Sequence, residues 1–219
     1  GQVAMWYALA RSMNRPTVDL YFRTGVDTVR SALKALGLPT AQADKPAMAL
    51  GAMDISLREI VPAFGAFAMK GQVVKPQFIV SISDAQGNVL YRAKKPKADQ
   101  AIAANTAADI TAMLQRAIDQ GTGGPLRSRY GATIPMAGKT GTSQNYGDAW
   151  FVAYTPALVI GTWVGAFDHD VHFSSANGTG GQLALPIAGK VIKQIEQSPE
   201  LKKRYVGWFP TSTEHEPDL

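Results

Sequence analysis

The sequence predicts an α+β fold, with a mostly antiparallel sheet of about five strands packed between helices. Three observations support this prediction. Apolar residues at helical spacing dominate the N-terminal part, several strand-like segments separated by turns follow, and one amphipathic helix comes near the end. The chain has 219 residues, of which 46% are hydrophobic and 18% charged, so it can bury a core.

The N-terminal part is predicted to contain three helices. The first covers residues 3–12 and runs into a polar turn. The second covers residues 26–36, where valine and leucine recur at helical spacing. The third is an apolar run that follows Ser56 and Glu59, whose spacing is that of a capping box, and it ends at Gly71.

The middle of the chain predicts a hairpin and a long helix. Residues 77–83 and 89–92 flank a glycine-containing turn, which is typical of two paired strands. Residues 93–100 are basic and contain proline, so we expect a surface loop there. A helix is then expected from Asn105, as its N-cap, to Gly121.

The later part of the chain predicts three further strands, a loop and a helix. The strands are expected at 132–142, 149–154 and 158–167. The polar, glycine-rich residues 168–182 predict a long loop, of a kind that often borders a functional site. Apolar residues at helical spacing predict the final helix over 183–197.

Composition and charge exclude several classes of protein. The chain has no cysteine, which excludes disulfides, thiol chemistry and cysteine-based zinc sites. Its net charge is +5, but the basic residues form no stripe interleaved with aromatic residues, so we expect no nucleic-acid partner. His169 and His172 share one predicted loop, but no helix or strand fixes their spacing, so we expect a solvated loop and no metal site.

One candidate functional motif is Lys139-Thr140-Gly141-Thr142, at the end of a predicted strand. Successive side chains of a strand point to opposite faces, so Thr140 and Thr142 should share one face and Lys139 the other. Two hydroxyls and a nearby ammonium suit the binding of a carboxylate, and Gly141 lets a substrate backbone lie close to the strand. The alternative interpretation is an ordinary turn at an edge strand.

A second candidate motif is Ser12-Met13-Asn14, at the end of the first predicted helix. A serine hydroxyl can relay a proton, and an asparagine amide two residues further on can hold a carbonyl group. A polar turn at a helix C-terminus is the alternative interpretation of these residues. The two motifs are 139 − 12 = 127 residues apart in the sequence.

Together the two motifs resemble those of the penicilloyl-serine transferase superfamily, which uses S-x-x-K, S-x-N and K-T-G. Residues 136–165, MAGKTGTSQNYGDAWFVAYTPALVIGTWVG, resemble the core signature of class A, bifunctional penicillin-binding proteins. Four other segments are similar to that family in the same order: 8–25, 49–71, 117–126 and 179–187. The resemblance implies a β-lactamase/transpeptidase-like fold.

The resemblance also implies a role for each motif residue. Ser12 would relay a proton to the leaving amine, and Asn14 would hold the amide carbonyl of the substrate. Lys139 would polarise Ser12 and supply positive charge. Thr140 and Thr142 would bind the terminal carboxylate of a donor peptide or of a β-lactam, and the Thr142 backbone N–H would form half of an oxyanion hole.

The implied function is that of a peptidoglycan D,D-transpeptidase, which cross-links stem peptides by serine acyl transfer from D-Ala-D-Ala donors and also binds β-lactams. Peptidoglycan stem peptides and β-lactam antibiotics are the expected partners, and no cofactor is implied. The implied location is the periplasmic, outer face of the bacterial cytoplasmic membrane, with roles in cell-wall biogenesis, cell shape and antibiotic resistance. The alternatives are a D,D-carboxypeptidase or β-lactamase relative, or a non-catalytic module that binds β-lactams or peptidoglycan.

One feature of the family is expected to lie outside this chain. The nucleophilic serine and its lysine precede S-x-N in the family, whereas S-x-x-K occurs here only at 31–34, after S-x-N and inside an ordinary predicted helix. We therefore expect residues 1–210 to be a partial transpeptidase domain, inactive alone, whose upstream segment carries S-x-x-K in the same or a separate chain. That longer protein would also carry the membrane anchor. The acidic residues 211–219 are expected to form a disordered tail.

Overall fold

A computed structural model describes residues 2–168 and 170–210. Within these ranges the chain forms helices and three antiparallel sheets, which confirms the predicted α+β class. The predicted disordered tail, 211–219, and His169 lie outside the described residues. In the described part of the chain, no helix combines the length and the apolar character that crossing a membrane requires.

Helices and strands follow one another in mixed order along the chain. The helices are α1 (Met5–Ala10), α2 (Asn14–Thr24), α3 (Val26–Ala35), α4 (Leu57–Ala68), α5 (Ala104–Asp119), α6 (Pro125–Ser128), α7 (Ala184–Gln197) and α8 (Pro199–Tyr205). The strands are β1 (Gln72–Val74), β2 (Ser81–Ser83), β3 (Val89–Arg92), β4 (Ala98–Gln100), β5 (Ala137–Thr142), β6 (Asp148–Thr155) and β7 (Leu158–Gly165).

The main sheet has the strand order β5-β6-β7, and both neighbouring pairs are antiparallel. Helix α7 packs on one face, around the fully buried Phe151. Helices α4 and α5 cover the other face around Tyr154, whose hydroxyl lies 3.0 Å from the Thr111 hydroxyl of α5. Helix α1 packs on α5, so the N-terminal motif is carried towards the β5 side of the sheet.

The main sheet is smaller than the predicted sheet of about five strands. The remaining strands form two separate pairs, β1 with β4 and β2 with β3. The segment 93–100, predicted as a surface loop, contains β4, whose Gln100 lies opposite Gln72 of β1. The β2–β3 hairpin is exposed along both strands. A strand pattern in the sequence does not say which sheet a strand joins, because pairing depends on tertiary neighbours.

The start of α4 is as predicted, whereas the start of α5 is not. The Ser56 backbone N–H and hydroxyl both donate to Glu59 Oε2, at 2.9 and 2.6 Å, and these hydrogen bonds lower the pKa of Glu59. Helix α5 begins at Ala104 without a side-chain cap. Asn105 lies within its first turn, where its side chain accepts a hydrogen bond from the Thr106 N–H instead of capping the helix.

Two other boundaries differ for reasons that involve proline. Helix α2 begins where a polar turn was predicted, and it tolerates Pro16 because the N–H groups of a first turn have no helical partner. Strand β5 begins at Ala137, five residues later than predicted, after Pro135. The backbone of 132–134 instead bonds to side chains, with Arg127 donating to two of its carbonyls and Glu196 accepting from two of its N–H groups.

Candidate active site

Helix α1 ends in a turn that places Ser12 in an unusual backbone conformation. The Ser12 N–H donates to the Leu9 carbonyl and the Met13 N–H to the Ala8 carbonyl, which is the hydrogen-bond pattern of a Schellman motif. Ser12 occupies the left-handed position of this motif, with φ of 52°, where glycine is the usual residue. The side chain of Ser12 is exposed, so a strained residue presents its hydroxyl at the end of α1.

Lys139 of β5 meets this hydroxyl although 127 residues separate the two in the sequence. The Lys139 ammonium donates to Ser12 Oγ and, at 2.9 Å, to the Thr140 carbonyl. Both acceptors are neutral, and no carboxylate is bonded to Lys139 within the described residues. Burial without a counter-charge therefore lowers the pKa of Lys139 from 10.5 to about 8.

The two motif threonines lie on the other face of β5 from Lys139, as strand alternation predicts. Thr140 lies opposite the buried Phe151, and Thr142 lies opposite Ala149. The Thr140 hydroxyl lies 2.5 Å from the hydroxyl of Thr122, in the loop after α5. The Thr142 hydroxyl accepts a hydrogen bond of 3.1 Å from the backbone N–H of Gly180.

One glycine within β5 and one in the loop before α7 allow close packing at this end of the strand. A Cβ on Gly141 would lie 3.1 Å from the Trp150 Cβ on the neighbouring strand. A Cβ on Gly180 would lie 2.2 Å from the Trp150 carbonyl oxygen and 2.4 Å from the Gly141 carbonyl oxygen, far inside contact distance. The loop predicted over 168–182 thus contacts the candidate site through residue 180, and only a glycine fits at this position.

The Asn14 side chain has no hydrogen-bond partner among the described residues. Asn14 is the first residue of α2, and its side chain is exposed. Ser31 and Lys34 of the out-of-order S-x-x-K are likewise exposed on α3 and show no hydrogen bond to each other. Ser12 and Lys139 are therefore the motif residues that the fold joins directly.

Thr122 and Gly180 hydrogen-bond to the motif threonines, and neither was predicted from the sequence as a site residue. Both lie in glycine-rich stretches, 121–124 and 178–181, which overlap the family-like segments 117–126 and 179–187, but neither residue belongs to one of the two motifs. Among the described residues no group of three or more histidines and carboxylates could hold a metal ion. The site therefore offers hydroxyls, one ammonium of lowered pKa and backbone N–H groups, a set suited to an anionic ligand and to proton transfer.

Comparison with known proteins identifies the family of the chain. Residues 1–193 match the family described as "Penicillin binding protein transpeptidase domain". Penicillin-binding protein 1B of Escherichia coli (strain K12) is 36% identical over 166 residues, which are 75% of this chain and 19% of that protein. Penicillin-binding protein 1A of Aquifex aeolicus is 33% identical over 192 residues, which are 85% of this chain and 25% of that protein. The chain thus spans about a fifth to a quarter of the length of these relatives.

Solved structures show the same fold. Penicillin-binding protein 1A of Haemophilus influenzae superposes with a TM-score of 0.82 at 21% identity, covering 95% of this chain and 36% of that chain. The PonA1 protein of Mycobacterium tuberculosis, solved in complex with penicillin V, superposes with a TM-score of 0.74 at 25% identity. That match covers 96% of this chain and 59% of the PonA1 chain.

Proposed function

Because this chain belongs to the transpeptidase domain family of class A penicillin-binding proteins, we propose that it forms the substrate-binding and proton-relay part of a peptidoglycan D,D-transpeptidase. The observation that carries this proposal is the contact between the Lys139 ammonium and the Ser12 hydroxyl. A desolvated ammonium beside a strained, exposed serine costs free energy, and acyl transfer gives this arrangement a use.

The nucleophile of the reaction comes from an S-x-x-K segment outside residues 1–219. Its serine oxygen adds to the carbonyl carbon of the D-Ala-D-Ala peptide bond, the C–N bond breaks, and D-Ala leaves with a proton on its amine. An amine of a neighbouring stem peptide then adds to the acyl-serine carbonyl. The ester C–O bond breaks, the proton returns to the serine oxygen, and the two stems are cross-linked.

Ser12 is the group that passes the proton to the departing amine. A charged Lys139 ammonium donates to Ser12 Oγ but cannot accept a hydrogen bond from it. The hydrogen of the Ser12 hydroxyl is therefore free to point at the substrate. The positive charge also stabilises the negative charge that develops on the substrate. Asn14, exposed at the start of α2, holds the amide carbonyl of the donor peptide, and its unbonded amide is available for that role.

The hydroxyls of Thr140 and Thr142 bind the terminal carboxylate of the donor. The Gly180 N–H can only donate, so the Thr142 hydroxyl accepts from it and directs its own hydrogen outwards. The backbone N–H of Thr142 supplies half of the oxyanion hole. A penicillin, with a carboxylate and a strained amide, fits the same groups, and the penicillin V complex of the related PonA1 protein supports this assignment.

The proposed location is the outer face of the cytoplasmic membrane, where peptidoglycan stem peptides are present. An anchor in another part of the intact protein would hold the domain there.

A non-catalytic binding module is the competing function, and a D,D-carboxypeptidase relative would differ in transferring the acyl group to water. Covalent labelling and cross-linking assays together distinguish transpeptidase function from both alternatives.

The test uses the intact protein that contains this chain and a fluorescent penicillin. We expect time-dependent covalent labelling, and about 100-fold slower labelling in Lys139→Ala with a nearly unchanged melting temperature. Lys190→Ala, which removes an exposed lysine from α7, is the matched control and should label like wild type. No labelling of the wild-type protein would refute transpeptidase function, and labelling without cross-linking of stem peptides would indicate a carboxypeptidase or binding role.

A further inference from the structure

Thr122 touches both chain segments that carry the candidate motifs. Its backbone N–H donates to the Ala10 carbonyl at 3.1 Å, at the end of α1 and two residues before Ser12. Its hydroxyl lies 2.5 Å from the hydroxyl of Thr140 on β5. One residue in the loop after α5 therefore joins the end of the serine-bearing helix to the strand that carries Lys139 and the threonines.

The packing around Thr122 leaves little freedom for this connection. A Cβ on the preceding Gly121 would lie 2.2 Å from the Ala10 carbonyl oxygen and 2.8 Å from the Ala117 carbonyl oxygen. The loop therefore sits directly against the end of α1, closer than any residue with a side chain would allow. Thr122 and Thr140 are both partly buried, so their hydroxyl pair is shielded from much of the competing water.

The direction of the Thr122–Thr140 hydrogen bond decides what Thr140 can do. Two hydroxyl oxygens that share one hydrogen bond leave the other hydrogen free. Lys139 bonds to the carbonyl of Thr140 and not to its hydroxyl, so Thr122 is the only described partner of that hydroxyl. When Thr122 donates, the hydrogen of the Thr140 hydroxyl is free to bind an anion. The Thr142 hydroxyl is in the same state, because it accepts a hydrogen bond from the Gly180 N–H.

We infer that Thr122 is a positioning residue, which donates its hydroxyl hydrogen to Thr140 and so holds Thr140 as a donor to the substrate carboxylate. This inference rests on the proposed function of Thr140. Thr122 itself does not touch the substrate. Its backbone bond to Ala10 keeps the donor pair in a fixed position relative to Ser12, where the proton transfer takes place.

The test compares Thr122→Val with Thr122→Ser in the intact protein. Valine keeps the branched shape and the backbone bond to Ala10 but removes the hydroxyl, whereas serine keeps the hydroxyl. Acylation rates are measured with benzylpenicillin, whose carboxylate is charged, and with its methyl ester, which has none. We expect Thr122→Val to slow acylation by the anion by about tenfold, to leave the ester rate unchanged, and Thr122→Ser to restore the anion rate.

The ratio of the anion rate to the ester rate identifies a positioning role, because a general loss of structure would lower both rates. In a Thr140→Val background, Thr122→Val should change this ratio no further. Thr106→Val, an exposed threonine on α5, is the control for the substitution itself. An anion-to-ester rate ratio that is the same in Thr122→Val as in the wild type would overturn the inference. A wild-type protein that reacts with neither reagent would instead overturn the proposed function.

Discussion

At the scale of single residues, Ser12 and Lys139 are both held in states that cost free energy. Ser12 takes a left-handed backbone conformation that favours glycine, and Lys139 is partly desolvated with no carboxylate partner among the described residues. Such states persist where the surrounding fold enforces them and where they serve a function. Each gives a prediction in which stability and activity change in opposite directions.

The pH dependence of acylation should follow the charge on Lys139. Its pKa of about 8 means that the ammonium is lost as pH rises through about 8, so the acylation rate should fall over the same interval. The folded-state pKa lies below the ordinary value, so the unfolded chain binds more protons between about pH 8 and 10.5, and this contribution to stability rises with pH. The measurement is acylation rate and melting temperature from pH 6.5 to 10.

Lys139→Arg is the control for this profile, because arginine stays charged throughout. Both the fall in rate through about pH 8 and the relative gain in stability above about pH 8 should be absent from the variant. A wild-type acylation rate that stays flat or rises through pH 8 to 9 would contradict the proposed role of the charged ammonium.

Replacing Ser12 by glycine should stabilise the protein while it removes the proton relay. Glycine adopts the left-handed conformation without steric cost, so we expect the free energy of unfolding to rise by roughly 0.5–1 kcal/mol after allowance for the greater flexibility of the unfolded chain. Acylation should be slower by about 100-fold, in line with the loss of a general acid. Denaturant unfolding and fluorescent-penicillin labelling measure the two effects.

Ser12→Ala separates these two effects, because alanine removes the hydroxyl but keeps the Cβ and its strain. This variant should lose activity without the gain in stability. If Ser12→Gly were less stable than Ser12→Ala, the left-handed conformation would not be a source of strain in the protein.

At the scale of elements, the end of β5 is fixed by loops from two other parts of the chain. The loop after α5 contacts Thr140, and the loop before α7 contacts Thr142 and the backbone of Gly141. The strand supplies the alternation of side chains, but these loops set where the two hydroxyls point. The element proposed to bind substrate is thus a strand supported by two glycine-rich loops.

Gly180→Ala should damage this arrangement, whereas Gly181→Ala should not. The added methyl group at 180 would overlap the Trp150 and Gly141 carbonyl oxygens. The loop must therefore move, and the hydrogen bond from the backbone N–H of residue 180 to the Thr142 hydroxyl is lost. At Gly181 the nearest atom, the Thr122 carbonyl oxygen, is 3.6 Å from the added Cβ, which is an ordinary contact. We expect Gly180→Ala to slow acylation by carboxylate-bearing β-lactams by about tenfold or more and to lower the melting temperature.

The comparison is made on the intact protein by labelling kinetics and thermal unfolding. Similar behaviour of the two alanine variants would show that Gly180 is not needed for close packing, and that the Thr142 hydroxyl is oriented by other means.

At the scale of the whole molecule, residues 1–219 contain the proposed binding and relay groups, but no S-x-x-K precedes S-x-N in this sequence. Their only S-x-x-K is at Ser31 and Lys34, which are exposed on α3 and are not hydrogen-bonded to each other. Acyl transfer requires a nucleophile activated by a neighbouring base. A segment outside this range is therefore proposed to supply it.

The isolated 219-residue chain should form no covalent adduct with a penicillin, whereas the intact protein should form one on a serine outside this range. Mass spectrometry of both proteins after incubation with benzylpenicillin is the measurement, and circular dichroism of the isolated chain checks that it is folded. An adduct on any serine of the isolated chain would contradict the prediction, and an adduct on Ser31 would reverse the interpretation of the motif order.

The sequence by itself determined what depends on neighbours along the chain. Periodicity predicted α3, α5 and α7, the spacing of Ser56 and Glu59 predicted the start of α4, and the alternation of a strand predicted that Lys139 points away from Thr140 and Thr142. The K-T-G-T and S-x-N motifs, with their flanks, led to the family. These features are local because helix and strand periods act over a few residues.

Only the tertiary structure decided which distant groups meet and what their surroundings do to them. It brought Lys139 into contact with Ser12, which the family resemblance alone had implied, lowered the pKa of Lys139 by burial, and set Thr122 and Gly180 beside the two motif threonines. It also divided the strands among three sheets instead of one. The physical reason is that desolvation, strand pairing and hydroxyl direction depend on atoms far apart in the sequence, whose approach is fixed by packing of the whole fold.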